Sequence, residues 1–262
     1  VSFIFFNIIL WAISCKNTIE GKDINVNVTE TKNYTDTTKY YEPMDLDFIM
    51  GKFDPTTHTD FVEIDTKYAD RSGLYLQKEA YISFVKMYDA ALKDGVSLVI
   101  KSATRNFDYQ KGIWERKWKG ETTLSNGVNL GKSKLTNLEK AKMILKYSSM
   151  PGSSRHHWGT DIDLNAFNNA YFEKGEGAKV YNWLVKNASN YGFCRPYSVK
   201  NTQRPNGYNE EKWHWSYLPI AKRYSQQILD QKENFKFEGF LGAEVASEVK
   251  IIDHYILGIN AS

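Results

Sequence analysis

Ser154-Arg155-His156-His157-Trp158-Gly159-Thr160-Asp161-Ile162-Asp163 places two imidazoles and two carboxylates within ten residues. From Thr160 onward the pattern alternates, with Asp161 and Asp163 set against Ile162 and Leu164. Successive side chains of a strand point to opposite faces. Both carboxylates therefore project together, while Ile162 and Leu164 face a core. Gly159, three residues after His156, permits a tight turn that swings the histidine back over the carboxylate face. Taken alone, the stretch reads either as a polar loop entering a half-buried strand or as part of a metal site.

Composition narrows the field. The chain of 262 residues can hold one generous domain or two small ones and bury a substantial core. Hydrophobic residues at 42% and charged residues at 25% are ordinary for a globular protein. Aromatic content is high at 15%, which suits a carbohydrate- or peptide-facing surface or an aromatic core equally. A net charge of +3 without a concentrated Lys/Arg block argues against nucleic acid or another strong polyanion as partner.

Residues 1–14 carry no charge and run into Cys15. The run is too short to span a bilayer, which takes about 20 apolar residues, but it matches the apolar region of a secretory signal. Ala12-Ile13-Ser14-Cys15 looks like a lipobox, predicting a lipoprotein signal peptide over 1–14 and lipidation at Cys15. An ordinary cleaved signal and a buried element are the alternatives, since a basic leader segment is missing and the chain opens on Val. Residues 15–45 are rich in Thr, Asn and Lys and poor in large apolar residues, the composition of a tether. These features predict a membrane-anchored lipoprotein of the cell envelope, facing the periplasm or the exterior. With Cys15 lipidated, Cys194 has no partner and is expected to be a small buried hydrophobe.

The folded part is predicted to begin near Leu46. Ala80, Phe84, Met87 and Ala91 recur at helical spacing ahead of Gly95, predicting a helix over 79–93. Val96-Ser97-Leu98-Val99-Ile100 reads as a central strand, ending at Ser102-Ala103-Thr104-Arg105. A helix is expected over 107–117. Thr136-Asn137-Leu138-Glu139 is a capping box opening a helix to about Tyr147. Another helix is expected over 177–189 and one more after Pro219. A terminal segment carries Ile251, Ile252, Tyr255, Ile256 and Ile259. Helices and short strands mix without regular alternation, which favours α+β. The predicted layout is a domain over 46–235 with a C-terminal helical extension over 236–262 packing on it.

A zinc hydrolase needs three protein ligands with a fourth position open, and a further carboxylate to take a proton. The chain has five histidines, 58, 156, 157, 214 and 254, and no His-Glu-x-x-His. Two cysteines cannot complete a Cys₂His₂ site once Cys15 is spent. There remain His156 and Asp163 in one segment, and His214 in another with Glu211 three residues before it.

Ser-x-His-x-x-Gly-x-x-x-Asp, here Ser154, His156, Gly159 and Asp163, followed by Glu-x-Trp-His, here Glu211, Trp213 and His214, resembles the VanY-type D-alanyl-D-alanine carboxypeptidases. The likeness extends to Ser102 and Arg105 after a strand, to Gln110 and to Tyr191-Gly192-Phe193, covering about residues 75–220. It implies a small antiparallel central sheet flanked by helices, the hedgehog/DD-peptidase fold. It also implies Zn²⁺ as cofactor and peptidoglycan stem peptides as substrate. By position, His156, Asp163 and His214 correspond to the zinc ligands and Glu211 to the general base. Arg105 corresponds to the cation at the scissile carbonyl, Ser154 and Gln110 to substrate contacts, and Trp213 to a pocket wall. The register leaves His157 behind the ligands or on the surface.

Two positions depart from the family pattern. Asp161 stands where alanine is common, and is expected either to orient a ligand histidine or to replace Asp163 as ligand. Ser216 stands where arginine is frequent. The resemblance implies a monomeric zinc carboxypeptidase that releases a terminal D-amino acid. The alternatives are an endopeptidase of the same fold and a non-catalytic zinc-containing cell-wall-binding lipoprotein.

Overall fold

The computed structural model describes residues 45–260. The signal peptide, Cys15 and nearly all of the tether lie outside the described residues. In chain order the elements begin with α1 (Leu46–Ile49), β1 (Phe61–Glu63), β2 (Tyr75–Gln77), α2 (Lys78–Lys93), β3 (Ile100–Ser102) and α3 (Phe107–Lys119). Then come α4 (Asn137–Ile144), β4 (Asp161–Leu164), α5 (Gly175–Asn187), β5 (Phe193–Cys194), β6 (His214–Tyr217) and α6 (Leu218–Gln231). A four-stranded antiparallel sheet in the order β3-β4-β6-β5 is flanked by helices, and β1 pairs with β2 beside it. The class is α+β, as expected.

Local signals formed as read. Ala80, Phe84, Met87 and Ala91 are the buried stripe of α2, and Gly95 follows with φ +74°. Asn106 caps α3, its side chain accepting from the Tyr109 amide at 2.9 Å. The reciprocal capping box of Thr136 and Glu139 opens α4.

Three expectations are corrected. The run 96–100 is not a central strand. Only Ile100–Ser102 joins the sheet, at its edge. Ahead of it the Asn165 side chain accepts from the Val99 amide and donates to the Ser97 carbonyl, occupying groups that a neighbouring strand would need. β4 is not half-buried: all four of its residues are buried, because the carboxylate face is covered as well as the apolar one. Cys194 is half-buried at the end of β5 rather than buried.

Two apolar clusters result. One joins α2, the sheet, α5 and α6. The other gathers Trp114 and Trp118 of α3, Ala141 and Ile144 of α4, and Phe240, Val245, Val249 and Ile251 near the C-terminus. Within residues 236–260 helical structure is limited to Ala243–Val245 and a wide π-type turn at Ile251–Ile256. That segment is tied to α3 where Trp114 Nε1 donates to the Leu241 carbonyl at 2.8 Å.

Candidate metal centre and active-site cavity

The opening stretch becomes a short 3₁₀ turn, Arg155–Trp158, followed by Gly159 with φ +68° and then β4. Ser154 caps the turn, its hydroxyl accepting from the His156 amide. A side chain at Gly159 would bring its Cβ to 2.3 Å from the Phe61 ring. The turn therefore requires glycine twice over, for its left-handed backbone and for that close approach.

The sheet register then assembles the polar groups. Asp163 on β4 is directly opposite His214 on β6, so their side chains share a face. His156 reaches the same face from the turn, its ring centroid 4.7 Å from that of His214. His156, Asp163 and His214 are all buried, with ligand atoms within 4.8 Å of one another.

The hydrogen bonds behind the rings determine which nitrogens face inward. His156 Nδ1 lies 2.8 Å from the Ala103 carbonyl, which only accepts, so this nitrogen carries the proton. Its Nε2 is left 3.3 Å from Asp163 Oδ2. His214 Nε2 lies 2.8 Å from Asp161 Oδ2, leaving Nδ1 at 3.3 Å from Asp163 Oδ1 and 3.4 Å from Glu211 Oε2. Asp163 Oδ1 is buried and accepts no hydrogen bond. Imidazole lone pairs aimed at carboxylate oxygens repel unless a proton or a metal ion lies between them. Two nitrogens and a carboxylate form a donor set suited to zinc, so the residues present fit that ion.

Charge is distributed to match. Burial pushes the Asp163 carboxyl up, but His156 and His214 outweigh it and hold it well below the usual carboxylate range. Burial also works against charge on His214, and Asp161, Asp163 and Glu211 overcome it, raising that imidazole well above its ordinary value. Burial and then Arg105 push His156 down. Glu211 is raised, chiefly by burial, as suits a base that must hold and release a proton.

Glu211 is placed from two sides. Its amide donates to the Tyr197 carbonyl at 3.1 Å. The Asn169 side chain donates to the Glu210 carbonyl at 2.9 Å and accepts from the Lys212 amide at 3.0 Å, clamping the residues on either side. Arg105 donates through Nη1 to Ser102 Oγ at 2.8 Å and stands 3.5 Å from Asp163 Oδ2. Its Nε is buried without a partner.

These groups line one cavity of about 570 Å³ that also includes Gln110, Ser154, Trp213 and Lys117. All the residues predicted for the site from the sequence meet here, apart from Cys15, which lies outside the described residues. Gln110 Nε2 donates to the Ser149 carbonyl at 2.8 Å, while its Oε1 is buried and unpartnered. Trp213 is buried, its ring 6.4 Å from that of Tyr147.

His157 does not join the cavity, and it is not on the surface. It is fully buried, with Nδ1 2.6 Å from the Arg105 carbonyl and Nε2 accepting from the Gly152 amide at 3.0 Å. Both nitrogens are engaged by backbone, and burial lowers its pKa to about 3.

Sequence reasoning missed Lys117. It is half-buried and its ammonium donates to Ser148 Oγ. Among the described residues it has no carboxylate partner within ion-pair distance. Its spacing of seven from Gln110 on one helix, which puts both on one face, was the available signal. Missed too were Asn169, whose partners Glu210 and Lys212 are distant in sequence, and Arg155, which pairs with nearby Asp161 and with distant Ser216.

A family model described as VanY, D-alanyl-D-alanine carboxypeptidase, matches residues 73–220. The chain is 30% identical over 188 residues to the protein YodJ of Bacillus subtilis, covering 70% of this chain and 60% of that protein. It is also 30% identical over 146 residues to a D-alanyl-D-alanine carboxypeptidase of Enterococcus faecalis, covering 54% of this chain and 49% of that one. The chain thus spans about half to three fifths of the length of these relatives. Among solved structures it is similar to the LdcB LD-carboxypeptidase, with 24% identity, a TM-score of 0.49, and coverage of 78% of this chain and 81% of that chain.

Proposed function

This chain belongs to the VanY D-alanyl-D-alanine carboxypeptidase family, and from that premise we propose that it is a zinc-dependent D-alanyl-D-alanine carboxypeptidase. Its substrate is the stem peptide of peptidoglycan, from which it hydrolyses the terminal D-amino acid. The observation that carries the reading is Glu211, a buried carboxylate outside the ligand trio, 3.4 Å from the inward nitrogen of His214.

In this reading His156 Nε2, Asp163 and His214 Nδ1 would hold zinc. When bound, zinc supplies Lewis-acid polarisation and lowers the pKa of water. Glu211 takes the proton of the attacking water as oxygen bonds to the scissile carbonyl carbon. It then delivers that proton to the leaving nitrogen as the C–N bond breaks. Arg105 offers its unpartnered Nε–H to the charge developing on the carbonyl oxygen. Ser154, Gln110 and Trp213 line the space for the peptide. Lys117 adds a second cation for the free carboxylate that a carboxypeptidase substrate carries and an internal peptide bond lacks. That favours carboxypeptidase over endopeptidase action.

We assign the chain to the cell envelope as a monomer held to the membrane by lipid on Cys15, a reading supported by the uncharged run before that residue. Labelling with a radioactive fatty acid should mark Cys15, and recovery of Cys15 in a disulfide would overturn it. For the activity, purified protein incubated with synthetic stem pentapeptide should release one D-alanine, read by product mass. Products cut only at internal bonds, or equal rates after zinc has been removed and its absence verified, would sink the proposal.

A further inference from the structure

Asp161 and Ser216, the two departures from the family pattern, are a single feature in the folded chain. They are directly opposite one another across β4 and β6, and Ser216 Oγ donates to Asp161 Oδ1 at 2.7 Å. Thr160 Oγ1 donates to the same oxygen at 2.7 Å. Arg155 completes the group, its Nε donating to Asp161 Oδ2 at 3.1 Å and its Nη2 to Ser216 Oγ at 2.7 Å. A guanidinium thus already fills the space beside position 216, arriving from position 155.

Asp161 Oδ2 has one further contact, His214 Nε2 at 2.8 Å. Two donors on each oxygen use the main acceptor directions of a carboxylate. Asp161 has no lone pair left for a metal, which removes it as a substitute for Asp163. Asp161 and Arg155 are both essentially without solvent exposure. A buried ion pair of this kind contributes little net stability compared with apolar residues of similar volume. Its value lies in orientation.

We propose that Asp161, braced by Arg155, Thr160 and Ser216, is a positioning residue that fixes the ring and tautomer of His214. Zinc affinity in this chain therefore depends on a residue that does not touch the metal. The inference rests on reading His214 as a ligand. It goes beyond that reading by assigning the cause of the ring's orientation to Asp161 and the residues that brace it.

Zinc affinity measured by chelator competition tests it. Asp161→Asn should weaken binding by about 10- to 100-fold, the usual cost of losing an acceptor behind a metal-bound histidine, and should shift the visible absorption of the cobalt-substituted protein. Arg155→Met/Asp161→Leu removes the whole pair and leaves His214 Nε2 without its acceptor. That variant should still melt cooperatively without metal, below wild type because buried donors lose their acceptor, and show the same loss of affinity. Ser225→Ala, which removes the outer contact of Arg155 Nη1 and a bond to the Ala221 carbonyl within α6, should leave affinity unchanged. Wild-type affinity and an unshifted cobalt spectrum in both Asp161 variants, with His214→Ala unable to bind, would overturn the proposal alone. Undiminished binding by His214→Ala would overturn the ligand reading and the proposal together.

Discussion

The two walls of the cavity are built on opposite principles. On the sheet wall, the imidazoles are backed by dedicated acceptors, Ala103 for His156 and Asp161 for His214. What remains free points inward, and groups at that density repel one another without a cation. The wall formed by α3 has hydrogen-bonding capacity left over. Gln110 Oε1 is buried without a partner, and the Lys117 ammonium meets a hydroxyl rather than a carboxylate. A buried group left unsatisfied costs about 1–3 kcal/mol, so such groups persist where a ligand completes them. The contrast divides the work, with preorganised chemistry on the sheet and substrate capture on the helix.

The largest effect should come from the sheet wall. His214→Ala should lose both zinc, measured by metal analysis, and hydrolysis. Glu211→Ala should retain about one zinc per chain and lose turnover by about 10³-fold, within the usual range for a general base. Full activity in that variant would end the assignment of Glu211.

Substitutions on the helix wall should act on binding instead. Lys117→Met should raise KM about tenfold or more, as expected for a lost hydrogen bond to a charged group, and Gln110→Leu by a smaller factor, as expected for a neutral one, with little change in kcat. A fall in kcat with KM intact would break the division between the walls. If Lys117 reads the substrate's free carboxylate, amidating that carboxylate should cost wild type the same factor and leave Lys117→Met unaffected.

The smallest effect on activity belongs to His157, which meets Arg105 only at its backbone carbonyl. Its folded pKa of about 3 lies below the unfolded value near 6.5. The native state therefore refuses a proton that the unfolded chain accepts. Stability should fall as pH drops below about 6.5, by roughly 1.4 kcal/mol per unit until about pH 3. His157→Gln should hydrolyse normally and lack this contribution to the acid slope, measured by urea unfolding of the metal-free protein across that window. An unchanged slope would return His157 to a charged or exposed role.

Much of this was legible in the sequence because it is local. The apolar stripe of α2, the capping box at Thr136 and the alternation of β4 each depend on the backbone geometry of a few neighbouring residues. The spacing of Ser154, His156, Gly159 and Asp163, and of Glu211 and His214, likewise marked the groups that now meet in the cavity. By residue type the two adjacent histidines and two nearby aspartates are equivalent, and only the family register singled out His156 and Asp163. The tertiary structure supplies the physical reason. His157 is engaged by Arg105 and Gly152, and Asp161 by Arg155 and Ser216, and these partners arrive through a strand register and a turn that local pattern does not encode. Side-chain periodicity follows from the backbone, whereas the partner a buried polar group finds depends on which distant segment packs against it.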